Sequence, residues 1–192
     1  MRIGIAVIAK VGWNITELTL WLVSCRPQYK ELMPVMEQMD IVCARNEACE
    51  RAMRTKVDLL IMVNDDVWPT VTPAQVAEFV EKGKYGAVSA HKAGPGGETH
   101  RDGRTMDTAF LAITRDTLKK IYRRRTGWFP QPVLNANGTG WAACECITFS
   151  RMLEALDIPF KVMDTWVTHR HEGAWGKPPT PPAQQPTPPA KG

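Results

Sequence analysis

Apolar positions along the chain fall into two rhythms. Arg2 to Ala9 is almost wholly apolar and reads as a buried strand, while Ile15 to Ser24 carries its apolar residues at helical spacing. Asp40 to Ala44 reads as a short strand. Asn46 to Thr55 then sets Ala48, Cys49, Ala52 and Met53 on one helical face. Val57 to Val63 is apolar except for Asp58, the pattern of a strand covered on both sides. Thr72-Pro73-Ala74-Gln75 combines a capping box with proline at the first helical position, so a helix is expected from there to about Gly83.

The second half continues the alternation. Tyr85 to His91, Thr108 to Thr114 and Phe160 to Thr168 read as strands, and Arg115 to Arg125 and Cys146 to Leu156 as helices. Ala93 to Asp107, with its glycines and polar residues, reads as a mobile loop. Strands alternating with helices predict an α/β domain, with a mostly parallel central sheet flanked by helices. That domain is expected over residues 1–172. Residues 173–192, rich in Pro, Gln, Thr and Lys, lack the apolar surface needed to offset ordering entropy and read as a disordered tail.

Composition narrows the setting. A net charge of +4 suits an anionic ligand but is too small and scattered to argue for nucleic acid. Five cysteines, an odd number without regular spacing, argue against a disulfide framework and for a reducing, cytoplasmic setting. Ile3 to Ala9 is too short for a membrane span, so no transmembrane segment is expected.

The chemistry concentrates where Leu59 to Val63 gives way to Asn64-Asp65-Asp66. Open α/β sheets bind ligands beyond the carboxyl ends of their strands. Two adjacent carboxylates after an apolar strand repel each other in poor solvent, and a divalent cation relieves that repulsion. A solvated turn is the alternative reading, but Val67, Trp68 and Pro69 keep the segment apolar.

Asn64-Asp65-Asp66 resembles the Asp-x-Asp motif of nucleotide-sugar glycosyltransferases with the GT-A (Rossmann-like) nucleotide-diphospho-sugar transferase fold. Further similarities follow in order. Ala44-Arg45-Asn46 is similar to the Ala-Arg-Asn that precedes a helix in a bacterial and phage-type, family 2-like branch. Glu145-Cys146-Ile147-Thr148-Phe149-Ser150-Arg151 resembles the Glu-Asp helix start of that branch. Val162-Met163-Asp164-Thr165 with His169 resembles its closing strand and metal-binding histidine. Two residues depart from the pattern: Asn64 replaces the first Asp of the motif, and Cys146 replaces the Asp of the Glu-Asp pair.

The resemblance implies a metal-dependent transfer of sugar from a nucleotide-sugar donor to an acceptor hydroxyl on a glycan, protein or lipid-linked sugar. In that reading Asp66 and His169 hold Mn²⁺ or Mg²⁺ against the diphosphate, and Asp65 is a second ligand or a ribose contact. Asn64 lies in the donor site, and Ala9-Lys10-Val11 is where base and ribose rest. Arg45 binds phosphate or orients the acidic loop. Glu145 is the general base, or simply a helix N-terminal carboxylate. His171 competes with His169 for the metal, and Arg170 or Lys177 adds positive charge. Gly94-Pro95-Gly96-Gly97 is a donor lid or an ordinary loop. Trp128, Trp141 and Trp175 stack on sugar or fill the core.

Three other readings compete. Cys144-x-Cys146 with His169-x-His171 offers four zinc ligands, though not at the usual knuckle spacing. A nucleotidyltransferase shares such a sheet but normally shows a Gly-rich basic loop after its first strand. Arg123-Arg124-Arg125 with the basic tail could bind nucleic acid, though a dipole-favoured helix end explains those arginines more simply.

Overall fold

The computed structural model describes residues 1–9, 16–36, 40–93, 105–124, 127–131, 133–134 and 141–169; residues 36, 92, 93, 133, 134, 141, 142, 166 and 169 are described by backbone position alone. In chain order the strands are β1 (Ile3–Ala9), β2 (Glu31–Met36), β3 (Leu59–Asn64), β4 (Val67–Pro69), β5 (Ala87–Ala93), β6 (Phe110–Thr114), β7 (Val133–Leu134), β8 (Trp141–Ala143) and β9 (Phe160–His169). The helices are α1 (Thr16–Ser24), α2 (Ile41–Thr55), α3 (Pro73–Gly83), α4 (Arg115–Arg124) and α5 (Glu145–Ala155).

Seven strands form one sheet in the order β2-β1-β3-β6-β5-β9-β4, and β7 pairs with β8 separately. β1 is parallel to β2 and β3, and β5 is parallel to β9. Only β6 and β4 run against their neighbours. The sheet is therefore mostly parallel in strand direction, as expected.

Strand periodicity explains the layers. Ala6 and Ile8 of β1, Leu60 and Met62 of β3, and Leu111 and Ile113 of β6 face one core. Their neighbours Ile5 and Val7, Leu59 and Ile61, and Phe110 and Ala112 face the other. The first core is closed by Ala48 and Cys49 of α2, Leu118 and Ile121 of α4, and Phe149 and Leu153 of α5. The second is closed by Leu18 and Trp21 of α1 and by Val76 and Val80 of α3. The α3 start is the expected capping box, with Thr72 accepting from Gln75 and Gln75 accepting from the Thr72 amide.

One element was misread from sequence. Asp40 to Ala44 is no strand: Asp40 is the N-cap of α2, its carboxylate accepting from the Cys43 amide at 2.7 Å. The helix thus begins before Ala44-Arg45-Asn46 and contains it. The strand of this region is β2, interrupted in composition by Pro34. Proline removes a ladder donor, and β2 tolerates it as the edge strand.

The connection from β3 to β4 constrains the whole sheet. Four interstrand steps separate them, about 19 Å in a flat sheet. Yet only Asp65 and Asp66 lie between them, allowing Asn64 and Val67 to be at most about 11 Å apart. The far end of the sheet must curl back over the end of β3. The register of β5 with β9 shifts between Ala90 and His91, where β9 carries the additional Asp164 and Thr165.

Candidate active site at the carboxyl edge of the sheet

That curl gathers chain ends around the acid pair. The Asp65 amide donates to the Ile8 carbonyl at 3.0 Å, which sets Ala9 at the end of β1 beside the acids. The Asn64 amide donates to the Ala109 carbonyl at 3.0 Å. Because β6 runs against β3, the start of β6 brings Asp107 and Thr108 to the same edge. From the other direction β4 pairs antiparallel with the end of β9, so that His169 lies opposite Val67, the residue after Asp66. Asp65 is buried and Asp66 half-buried, rather than both projecting into water as a solvated turn would have them.

Arg45 ties the edge together. It lies in the first half of α2, only 1% exposed, among the largest fully buried side chains of the molecule. One guanidinium nitrogen donates to Glu145 Oε1 at 3.0 Å. The other donates to the Thr108 carbonyl at 3.1 Å and reaches Asn64 Oδ1 at 3.5 Å. Its cationic carbon sits 5.8 Å from the centre of the Phe129 ring, close enough for a cation–π contact. The neighbouring Asn46 anchors the segment below, its Oδ1 accepting from the Trp128 and Phe129 amides.

Glu145 opens α5 and receives Thr108 Oγ1 at 3.3 Å on the same oxygen that takes Arg45. Burial pushes its carboxyl upward. The Arg45 charge, helped by hydrogen bonds from its own amide, Arg45 and Thr108, outweighs that and holds it below the ordinary carboxylate range. The group is therefore ionised at neutral pH.

Two sulfurs flank it. Cys146 Sγ lies 3.1 Å from Thr108 Oγ1 and 3.9 Å from Glu145 Oε1. A hydrogen bond from Cys144 lowers the Cys146 thiol, and the same bond raises that of Cys144. None of the five cysteines is in a disulfide.

Sequence reasoning overlooked Asp107 and Thr108. Asp107 is buried, with Oδ1 accepting from the Ala109 amide at 2.8 Å, a local turn that fixes the start of β6. The signal was present in Met106-Asp107-Thr108-Ala109-Phe110, where two polar residues interrupt an otherwise apolar stretch.

Trp128 belongs to the core. It is buried, stacks on Tyr122 with ring centres 5.1 Å apart, and donates from Nε1 to the Leu118 carbonyl at 3.0 Å. The Trp141 side chain, Lys10, Val11, Gly94 to Gly97, Arg125, Arg170, His171, Trp175, Lys177 and the tail over residues 173–192 lie outside what is described.

No protein-family model matches the chain, and no curated protein matches it by sequence. Solved structures do match. Protein A197 from STIV is 18% identical over 85% of this chain and 82% of its own, with a TM-score of 0.58. A glycosyltransferase involved in glycosylation of the major capsid of PBCV-1 is 13% identical over 88% of this chain and 94% of its own, with a TM-score of 0.53. S. aureus TarS 1-349, solved in complex with UDP, is 11% identical over 88% of this chain and 60% of that one, with a TM-score of 0.54. At such identities the likeness speaks for architecture. The chain has a GT-A-like fold.

Proposed function

We propose that this chain is a metal-dependent glycosyltransferase that moves a sugar from a nucleoside-diphosphate donor to an acceptor hydroxyl. The observation that carries this reading is the pairing of β4 with β9, which sets His169 opposite Val67 and so beside the acid pair. Carboxylate oxygens plus an imidazole suit a hard, oxygen-preferring cation, so the donor set fits Mn²⁺ or Mg²⁺. Held by Asp66 and His169, such an ion would neutralise charge on the departing diphosphate.

The chain's own groups divide the remaining work. Ala9 and Asn64 border the donor, with Asp65 as second ligand or ribose contact. Arg45, enclosed by Glu145, Thr108 and Asn64, acts as a positioning residue rather than as a direct phosphate ligand. Glu145 is the base. Arg45 and Thr108 both engage Oε1, which leaves Oε2 to accept the acceptor's proton. As that proton leaves, the acceptor oxygen bonds to the anomeric carbon, whose bond to the phosphate oxygen breaks and releases the nucleoside diphosphate.

The test is thermal stabilisation by nucleoside diphosphates and nucleotide sugars, each with and without Mn²⁺. A ligand at a hundred times its dissociation constant adds about 2.7 kcal/mol. Stabilisation that requires both nucleotide and metal, and vanishes in Asp66→Ala, is the expected result. A protein indifferent to every nucleotide would overturn the reading, and release of pyrophosphate instead of nucleoside diphosphate would reassign it to nucleotidyl transfer.

A further inference from the structure

A second donor set sits at the start of α5. Cys144, Glu145 and Cys146 each offer one ligating atom, and these three atoms lie within 4.8 Å of one another. Among the described residues no other group of three such side chains converges this way. Two sulfurs on a tetrahedral zinc stand about 3.8 Å apart, given bonds of about 2.3 Å. The observed limit of 4.8 Å exceeds that spacing by about 1 Å.

The surroundings favour a soft cation over a hard one. Two thiolates and a carboxylate carry three negative charges; Arg45 supplies one positive charge and a divalent ion two more, which sums to zero. Thiolate ligands select zinc-like ions, whereas Mg²⁺ prefers oxygen alone. Arg45 and Thr108 on Glu145, together with Thr108 on Cys146, form the outer shell that orients such ligands. Cys146 is buried and Cys144 half-buried, so the pair has a lined floor and a reachable edge.

We propose that Cys144, Glu145 and Cys146 form a binding site for a thiophilic divalent cation of the Zn²⁺ class, distinct from the Asp66 site. Three protein ligands are characteristic of an exchangeable site with a further coordination position rather than of a closed structural one. A cation here takes the carboxylate that the transfer reaction needs as its base, so occupancy and catalysis exclude each other. The site requires no nucleotide, and its test is independent of the transferase reading.

Reduced, metal-stripped full-length protein is titrated with Co²⁺ and then with Zn²⁺. One equivalent of Co²⁺ is expected to give a thiolate-to-cobalt charge-transfer band that Zn²⁺ abolishes. Cys144→Ser and Cys146→Ser should each halve that band and weaken binding by more than about tenfold. Cys43→Ser, which removes the exposed thiol beside Asp40, should change neither. In the unmodified protein, Zn²⁺ should slow alkylation of Cys144 and leave Cys43 as reactive as before, a readout that needs no variant to fold. Absence of the band, its full retention in both serine variants, its loss in Cys43→Ser, or alkylation of Cys144 unaffected by Zn²⁺ would overturn the proposal.

Discussion

Arg45 and Glu145 stand a hundred residues apart in sequence and 3.0 Å apart in space, joined by an ion pair in which the guanidinium is buried and the carboxylate one-fifth exposed. The pair couples α2 to the first residue of α5, and Thr108 closes the triangle from the start of β6. Three segments that are remote in the chain are thereby held in register at the sheet edge carrying the acid pair. The carboxylate cannot be lost without stranding a buried positive charge, because the other partners of the guanidinium are a neutral carbonyl and a neutral amide.

The first expectation concerns pH. Glu145 has its folded-state carboxyl held below the ordinary value of 4.5. Its contribution to stability is therefore fully present above that value and is lost as pH falls through the lowered one. Glu145→Gln keeps an acceptor for Arg45 but loses the charge, costing about 1.5–3 kcal/mol at neutral pH. Below the ordinary carboxylate range the wild-type and variant melting temperatures should converge. A gap that stays constant down to acid unfolding would mean the pair carries no such energy.

Arg45→Met removes the neighbouring charge, so the Glu145 carboxyl should rise. If Glu145 is the base, the acidic limb of the transfer rate moves to higher pH in that variant, and likewise, by less, in Thr108→Val, which deletes one hydrogen bond. A merely structural role would lower the amount of folded enzyme and leave the limb where it was.

Much of the architecture was legible because it is periodic. The two-faced burial of β1, β3 and β6 is written in continuous apolar runs, and the α3 boundary in a capping box that each partner completes. The failures have physical reasons. Ile41, Val42 and Cys43 look strand-like, but tertiary burial of Val42 and the Asp40 cap extended the helix through them. β2 was hidden by Pro34, acceptable only at an edge that sequence does not reveal. The approach of His169 to the acid pair was suggested by resemblance alone. It follows from the antiparallel pairing of β4 with β9, a long-range register with no local signature. Asp107 and Thr108 stand out in sequence only as two polar residues within an apolar stretch, and the role of Thr108 shows once Arg45 and Glu145 meet beside it.

Trp128 separates core from carbohydrate platform. Trp128→Phe removes one hydrogen bond to the Leu118 carbonyl, at a cost of about 0.5–1.5 kcal/mol. For a chain of this size the melting temperature falls roughly 2–4 °C for each kcal/mol. Donor affinity should not change. Weakened sugar-nucleotide binding with unaltered melting would invert the assignment.

The Asp40 cap offers a check on the corrected helix start. Asp40→Ala leaves the Cys43 amide without its acceptor and should cost about 1 kcal/mol, read as a lower urea midpoint with unchanged slope. Asp40→Asn, which retains an acceptor oxygen, should recover most of it. Equal behaviour of the two variants would show that the cap contributes nothing.

The pairing of Val67 with His169 permits a sharper test of the metal site than loss of activity. An extended strand sends alternate residues to the same side, so His171 is the natural rival if β9 continued without a bend. However, β4 is only three residues long and its pairing with β9 begins at His169, directly opposite the residue after Asp66. That register favours the nearer histidine. Mn²⁺ titration, followed by the resonance signal of the free ion in the presence of nucleoside diphosphate, should show His169→Ala weakening metal binding by about tenfold or more, equivalent to roughly 1.4 kcal/mol. His171→Ala should retain most of the wild-type affinity, and Asp66→Ala should lose as much as His169→Ala. If His171→Ala proved the more damaging of the two histidine variants, the ligand would be the later imidazole and the end of the strand would have to turn back towards the acids. Were neither histidine variant to alter Mn²⁺ affinity while Asp66→Ala abolished it, the cation would rest on carboxylates alone, and the closeness of β9 would serve only to shape the edge.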